Sequence, residues 1–112
     1  MNHSFGTLEG NFEDNSRILQ EMLVTCYKFN LTILNVVSHE FKPQGLTVVI
    51  LLGESHFSFH SYPESNEAYI DLFCCNPSIS TKDALAYLAE HLDATILKLT
   101  TVRRDSWDYT QK

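Results

Sequence analysis

Leu46-Thr47-Val48-Val49-Ile50-Leu51-Leu52-Gly53-Glu54-Ser55-His56-Phe57-Ser58-Phe59-His60-Ser61-Tyr62-Pro63-Glu64 opens as an apolar run and then abruptly packs acids, serines and histidines together. Leu46 to Leu52 is rich in β-branched residues and predicts a strand, buried on both sides if the run is taken at face value. Beyond it, Phe57 and Phe59 alternate with His56, Ser58 and His60, so the aromatics and the histidines face opposite sides of a sheet. Pro63-Glu64-Ser65-Asn66-Glu67 has the composition of a hairpin loop, and Ala68 to Cys75 returns as another strand. Three strands joined by short turns predict an antiparallel sheet.

The flanks complete the pattern. Residues 14–28 predict a helix capped by Asp14, Asn15 or Ser16, with Ile18, Leu19, Met22, Leu23 and Cys26 at helical spacing. Phe29 to Val37 is strand-like, and Lys42-Pro43-Gln44-Gly45 is a turn. Ser80 or Thr81 caps a second helix, whose stripe is Leu85, Leu88, Ala89 and Leu92. Ala94 to Leu99 is the last clear strand, Ser4 to Glu9 a weak first one, and Arg103 to Lys112 a mostly polar, loosely held tail. The whole predicts a single α+β domain over residues 1–112, a two-layer sandwich of a mainly antiparallel sheet with two helices on one face.

Composition narrows the function. Hydrophobic residues make up 44% of 112 and charged residues 20%, as in an ordinary globular domain. No apolar run reaches the ~20 residues of a membrane span, and the start of the chain has no basic, apolar leader, which predicts a cytoplasmic protein. A net charge of −6 without a basic cluster argues against nucleic acid and suits a cationic substrate. The three cysteines imply no disulfide framework. His56 and His60 on one strand are ~13 Å apart, too far to share a metal, so no metal site is expected.

One reading of Ser55 is a serine that rearranges its own backbone. In a strained turn the Ser55 hydroxyl can attack the Glu54 carbonyl and exchange the peptide bond for an ester. Loss of the Ser55 Cα proton expels the Glu54 carboxylate and leaves dehydroalanine, and hydrolysis gives ammonia and a pyruvoyl group. The chain would divide between residues 54 and 55 into a β chain, 1–54, and an α chain, 55–112. The new ketone can form a Schiff base with a substrate amine and serve as an electron sink for decarboxylation. Histidine is the side-chain type suited to proton work near neutrality, which makes His60 a candidate, and a free cysteine such as Cys75 can donate a proton. Taken alone, Ser55 is an ordinary turn residue and Cys75 a small hydrophobe; their shared setting gives them chemistry.

That setting resembles the short bacterial and phage type of S-adenosylmethionine decarboxylase proenzyme. The residues that carry the resemblance are Phe41-Lys42-Pro43-Gln44-Gly45, Glu54-Ser55-His56, His60-Ser61-Tyr62-Pro63-Glu64 and Asp71-Leu72-Phe73-Cys74-Cys75. It implies that Ser55 becomes the pyruvoyl cofactor, that His60 assists processing and that Cys75 is the proton donor. It further implies that Thr47 helps to stabilise the processing intermediate, that Phe41 and Tyr62 pack around the substrate, and that Glu64 holds its ribose hydroxyls. Thr47 stands where serine is usual, Tyr62 where tryptophan is usual and Asn76 where glycine is common.

The activity implied is decarboxylation of S-adenosylmethionine for spermidine synthesis by a dimer of αβ pairs. It would take place in the cytoplasm, that of the host if the chain is phage-encoded. Two other readings stand beside it. One is an L-arginine or L-ornithine decarboxylase on the same scaffold, since all three substrates share an amino-acid head and a distal positive charge. The other is a non-processing homologue that regulates an active partner.

Overall fold

A computed structural model describes residues 1–104; the polar tail beyond them lies outside the described residues. The element order is β1 (Asn2–Glu9), α1 (Asn15–Lys28), β2 (Ile33–Glu40), β3 (Leu46–Leu52), β4 (Ser55–Tyr62), β5 (Glu67–Cys74), α2 (Thr81–His91) and β6 (Thr95–Arg103), with a short 3-10 turn at Pro63–Ser65. One six-stranded sheet has the order β2-β3-β4-β5-β1-β6, and every neighbouring pair is antiparallel. With both helices packed on one face, this is the α+β two-layer arrangement the sequence predicts.

The helices begin where side-chain caps satisfy free amides. Asp14 accepts from the Arg17 amide, and Ser80 accepts from the Asp83 amide. The apolar stripes of the two helices close over alternate residues of the sheet: Leu46, Val48, Ile50 and Leu52 from β3, Phe57 and Phe59 from β4, and Ala68, Ile70, Leu72 and Cys74 from β5. Phe59 meets Phe12 edge to face at 5.7 Å, and complete burial of a phenylalanine is worth ~1.5–3 kcal/mol.

Two expectations need correction. The apolar run of β3 is not buried on both sides. Val49 and Leu51 are exposed, because helices cover one face only. The strand expected over Phe29 to Val37 starts at Ile33. Phe29 caps α1, Asn30 turns the chain with a φ of 58°, and Leu31 drops into the core first.

Weak apolar content notwithstanding, β1 is an interior strand between β5 and β6. Small polar residues suit it there. Buried Ser4 Oγ lies 2.7 Å from the hydroxyls of both Thr81 and Thr101, tying the start of α2 to the sheet. At Gly6 a Cβ would sit 2.1 Å from the Lys98 carbonyl oxygen, so only glycine permits β6 to approach.

Candidate active site

At the β3–β4 hairpin, Leu52 pairs with Ser55, leaving Gly53 and Glu54 as the turn. Ser55 has a φ of 147°, outside the region that L-residues occupy without strain. Such a conformation costs of order 1–3 kcal/mol and persists only where surrounding contacts impose it. Those contacts are present. The Cys75 amide donates to the Glu54 carbonyl oxygen at 2.8 Å, and the Gly53 amide donates to the Thr32 carbonyl at 2.8 Å. The Glu54 carboxylate accepts from the Thr32 amide and the Thr32 hydroxyl, each at 2.9 Å. Partial desolvation pushes the Glu54 carboxyl up, but the Thr32 bonds and one from its own amide outweigh it and hold the group below its ordinary range.

The adjacent cysteines divide as strand alternation requires. Cys74 is fully buried on the helix side and its thiol is pushed up by that burial, whereas Cys75, just past the strand, is exposed as a free thiol.

A second group forms at the far end of β4. Thr47 Oγ1 lies 3.2 Å from His60 Nδ1 across the β3–β4 pair. Beside them, a cavity of about 310 Å³ is lined by Phe41, Gln44, Gly45, Thr47, Ser61, Tyr62 and Glu64. Gly45, at a φ of +113°, closes the preceding turn. Its carbonyl accepts from the Phe41 amide at 2.8 Å, and this sets the Phe41 ring at the cavity mouth. A larger, hydrophilic groove of about 770 Å³ runs between the ends of the helices, lined by residues such as Asn11, Arg17 and Asp93. It holds none of the chemistry-bearing residues.

Between the two groups, on the sheet face without helices, lies a cluster that sequence reading missed. Asp71 Oδ2 accepts from His3 Nε2 at 2.8 Å and His56 Nε2 at 3.0 Å, while the Ser58 hydroxyl donates to Oδ1. Desolvation raises the Asp71 carboxyl, and the bonds from Ser58, His3 and His56 more than offset it and hold the group below its usual range. His3 is therefore half-buried. His91 is half-buried too, stacked on Tyr87 at 3.9 Å.

The ligand atoms of His3, His56 and Asp71 lie within 4.8 Å of one another, close enough for a metal. Both rings are directed at Asp71 Oδ2, and Arg104 Nη1 stands 3.4 Å from His3 Nδ1.

The family model described as S-adenosylmethionine decarboxylase matches residues 5–105. The chain belongs to that family. An S-adenosylmethionine decarboxylase proenzyme of Parasynechococcus marenigrum is 37% identical over 94 residues, covering 83% of this chain and 73% of the relative. One of Clostridium tetani is 32% identical over 100 residues, 89% of this chain and 79% of the relative. The crystal structure of the adenosylmethionine decarboxylase from Aquifex aeolicus superposes with a TM-score of 0.73 at 26% identity, covering 94% of both chains.

S-adenosylmethionine decarboxylases are carboxy-lyases, and within this member the expected site residues fall into two sets. Glu54, Ser55 and Cys75 meet at the hairpin; Thr47, Phe41, Tyr62 and Glu64 line the cavity, with His60 beside Thr47. Ser55 and His60 share one strand and stand about 17 Å apart along it, too far for His60 to reach Ser55 of the same chain. No helix among the described residues is long and apolar enough to cross a membrane.

Proposed function

We propose that this protein is a self-processing, pyruvoyl-dependent S-adenosylmethionine decarboxylase whose active centre is completed by a second copy of the chain. The observation that carries the proposal is the state of the Glu54–Ser55 bond. The nucleophilic residue is held at a strained φ, and a backbone amide already donates to the carbonyl it must attack.

The Ser55 hydroxyl attacks the Glu54 carbonyl carbon, the C–N bond breaks, and its nitrogen takes up a proton. An ester then joins Glu54 to Ser55 Oγ. As negative charge grows on the Glu54 oxygen, the Cys75 amide is in place to hold it without reorganisation. Loss of the Ser55 Cα proton with cleavage of the Cβ–Oγ bond releases the Glu54 carboxylate. Water then replaces the nitrogen, which leaves as ammonia.

The residues fit the resulting group: Ser55 heads the second fragment, and the Cys75 thiol is free and exposed beside it. The pyruvoyl group supplies the electron sink for decarboxylation. Cys75 Sγ holds the proton that the substrate Cα takes up once carbon dioxide has left. The cavity at Phe41, Tyr62 and Glu64 offers aromatic faces and a carboxylate to a cationic, ribose-bearing substrate.

The split site supports pairing. On the open sheet face Phe5, Val37, Val49, Leu51, Tyr69 and Val102 are exposed, an apolar surface unusual for a monomer. Two such faces stacked ~10 Å apart about a twofold axis normal to β4 run the two β4 strands antiparallel. The Ser55 end of one copy then lies against the Thr47–His60 end of the other.

The test is release of carbon dioxide from carboxyl-labelled S-adenosylmethionine, with arginine and ornithine as competitors. Release blocked by Ser55→Ala and unaffected by the competitors is the expected result. Preferential decarboxylation of arginine or ornithine would replace the substrate, and no release from any of the three would overturn the enzyme reading.

A further inference from the structure

Thr32 belongs to none of the patterns that mark the site, yet every polar atom it has is directed at the turn that carries the scissile bond. Its carbonyl accepts from the Gly53 amide at 2.8 Å, and its amide and hydroxyl each donate to the Glu54 carboxylate at 2.9 Å. A Cβ on Gly53 would stand 3.3 Å from Thr32 Cβ, so the Thr32 side chain lies close against the turn. Glu54 is thus gripped from two sides, by its side chain from the segment leading into β2 and by its carbonyl oxygen from Cys75 at the end of β5.

We propose that Thr32 is the positioning residue for self-cleavage, holding Glu54 so that its carbonyl cannot rotate away from the Ser55 hydroxyl. The proposal rests on the self-processing reading above. A two-residue turn with only one anchor can relax a strained φ at its exit by swinging the preceding peptide plane. Three hydrogen bonds from one residue, opposed by the Cys75 amide, close that route. The grip has a second consequence. When the Glu54 α-carboxylate is expelled, the side chain remains bound to Thr32, so the new C-terminus stays beside Ser55 rather than drifting into solvent.

Thr32 is itself exposed and outside the core, so its bonds to Glu54 add little to global stability. This separates positioning from folding. Cleavage is followed by intact mass on freshly translated chain, for the wild type, Thr32→Val, Thr32→Ser, Glu54→Ala and the double variant Thr32→Val/Glu54→Ala. Loss of one charge-assisted donor that matters in the attacking geometry predicts cleavage roughly tenfold or more slower in Thr32→Val. Thr32→Ser, which restores the hydroxyl, should cleave within about threefold of the wild type, at the low end of what one neutral hydrogen bond makes. The double variant should be no slower than Glu54→Ala alone, since both changes remove the same contact. In a Ser55→Ala background, Thr32→Val and Thr32→Ser should melt together.

The inference is overturned if Thr32→Val cleaves at the wild-type rate, if serine fails to rescue, if the two slowings multiply, or if slowing simply follows lost thermal stability. A wild-type chain that never cleaves is a different result, which removes the self-processing reading itself.

Discussion

The amide nitrogen of Cys75 stands 2.8 Å from the carbonyl oxygen of Glu54, so under the proposed function one residue serves twice, its thiol in protonating substrate and its backbone amide in processing. The two roles separate by substitution. Cys75→Ala keeps the amide and should cleave at Ser55 normally. Its decarboxylation of S-adenosylmethionine should fall by roughly a hundredfold or more, the range for loss of a general acid. Mass spectra and turnover of the same preparation check both halves. Loss of cleavage in Cys75→Ala would mean that the thiol, not the amide, serves processing.

Strain at Ser55 makes a stability prediction in uncleavable chains. A φ of 147° suits glycine and penalises any residue with a Cβ. Ser55→Gly should therefore be more stable than Ser55→Ala by about 1–3 kcal/mol. That order is opposite to the usual one for a strand, where glycine weakens the element. Urea unfolding of the two variants decides it, and a more stable alanine variant would show that the hairpin carries no strain.

The proposed division of the site between two copies predicts complementation. His60→Ala alone should remain uncleaved, and Ser55→Ala has no serine to convert. When the two are co-expressed, one of the two shared sites contains both Ser55 and His60, and the His60→Ala chain should be cut. The products are distinguishable by mass. No cleavage in the mixed dimer, with the homodimers intact, would place both residues' work within one chain.

Asp71 predicts a pH dependence of stability. Its folded pKa lies below the ordinary carboxylate value, so the charged form is favoured in the folded state. The stability it contributes is present above the unfolded pKa and is lost as pH falls through the lower, folded one. Asp71→Asn should cost about 1–3 kcal/mol near neutrality, the penalty for weakening a charge-assisted network. It should also flatten the fall in stability that the wild-type sequence shows on the acid side. Melting curves in the Ser55→Ala background over a pH series check this, and parallel profiles for the two proteins would remove Asp71 as the titrating group.

Much of this architecture is legible in the sequence because local chemistry dictates it. Asp14 and Ser80 are helix caps by residue type, Gly45 marks a turn that needs a positive φ, and alternation around Phe57 and Phe59 sets which side chains enter the core. The separation of Ser55 from His60 follows from counting along one strand. Long-range placements are less accessible. Nothing local announces that β1, with Ser4 and Gly6, lies inside the sheet, because its fitness depends on Thr81, Thr101 and the Lys98 backbone. The His3–Asp71 bond joins residues far apart in the chain, and Thr32 looks like any polar residue before a strand until the hairpin is placed beside it. The apolar residues of β3 mislead for a related reason: Val49 and Leu51 face a surface that this chain does not cover by itself.

Intact mass of the purified protein under denaturing conditions decides whether the Glu54–Ser55 bond is cut. Self-processing gives two chains, residues 1–54 ending in a free carboxylate and residues 55–112 beginning with a pyruvoyl group in place of serine. A single full-length chain, stable on long incubation, or a second fragment that still begins with an unmodified serine, would contradict it.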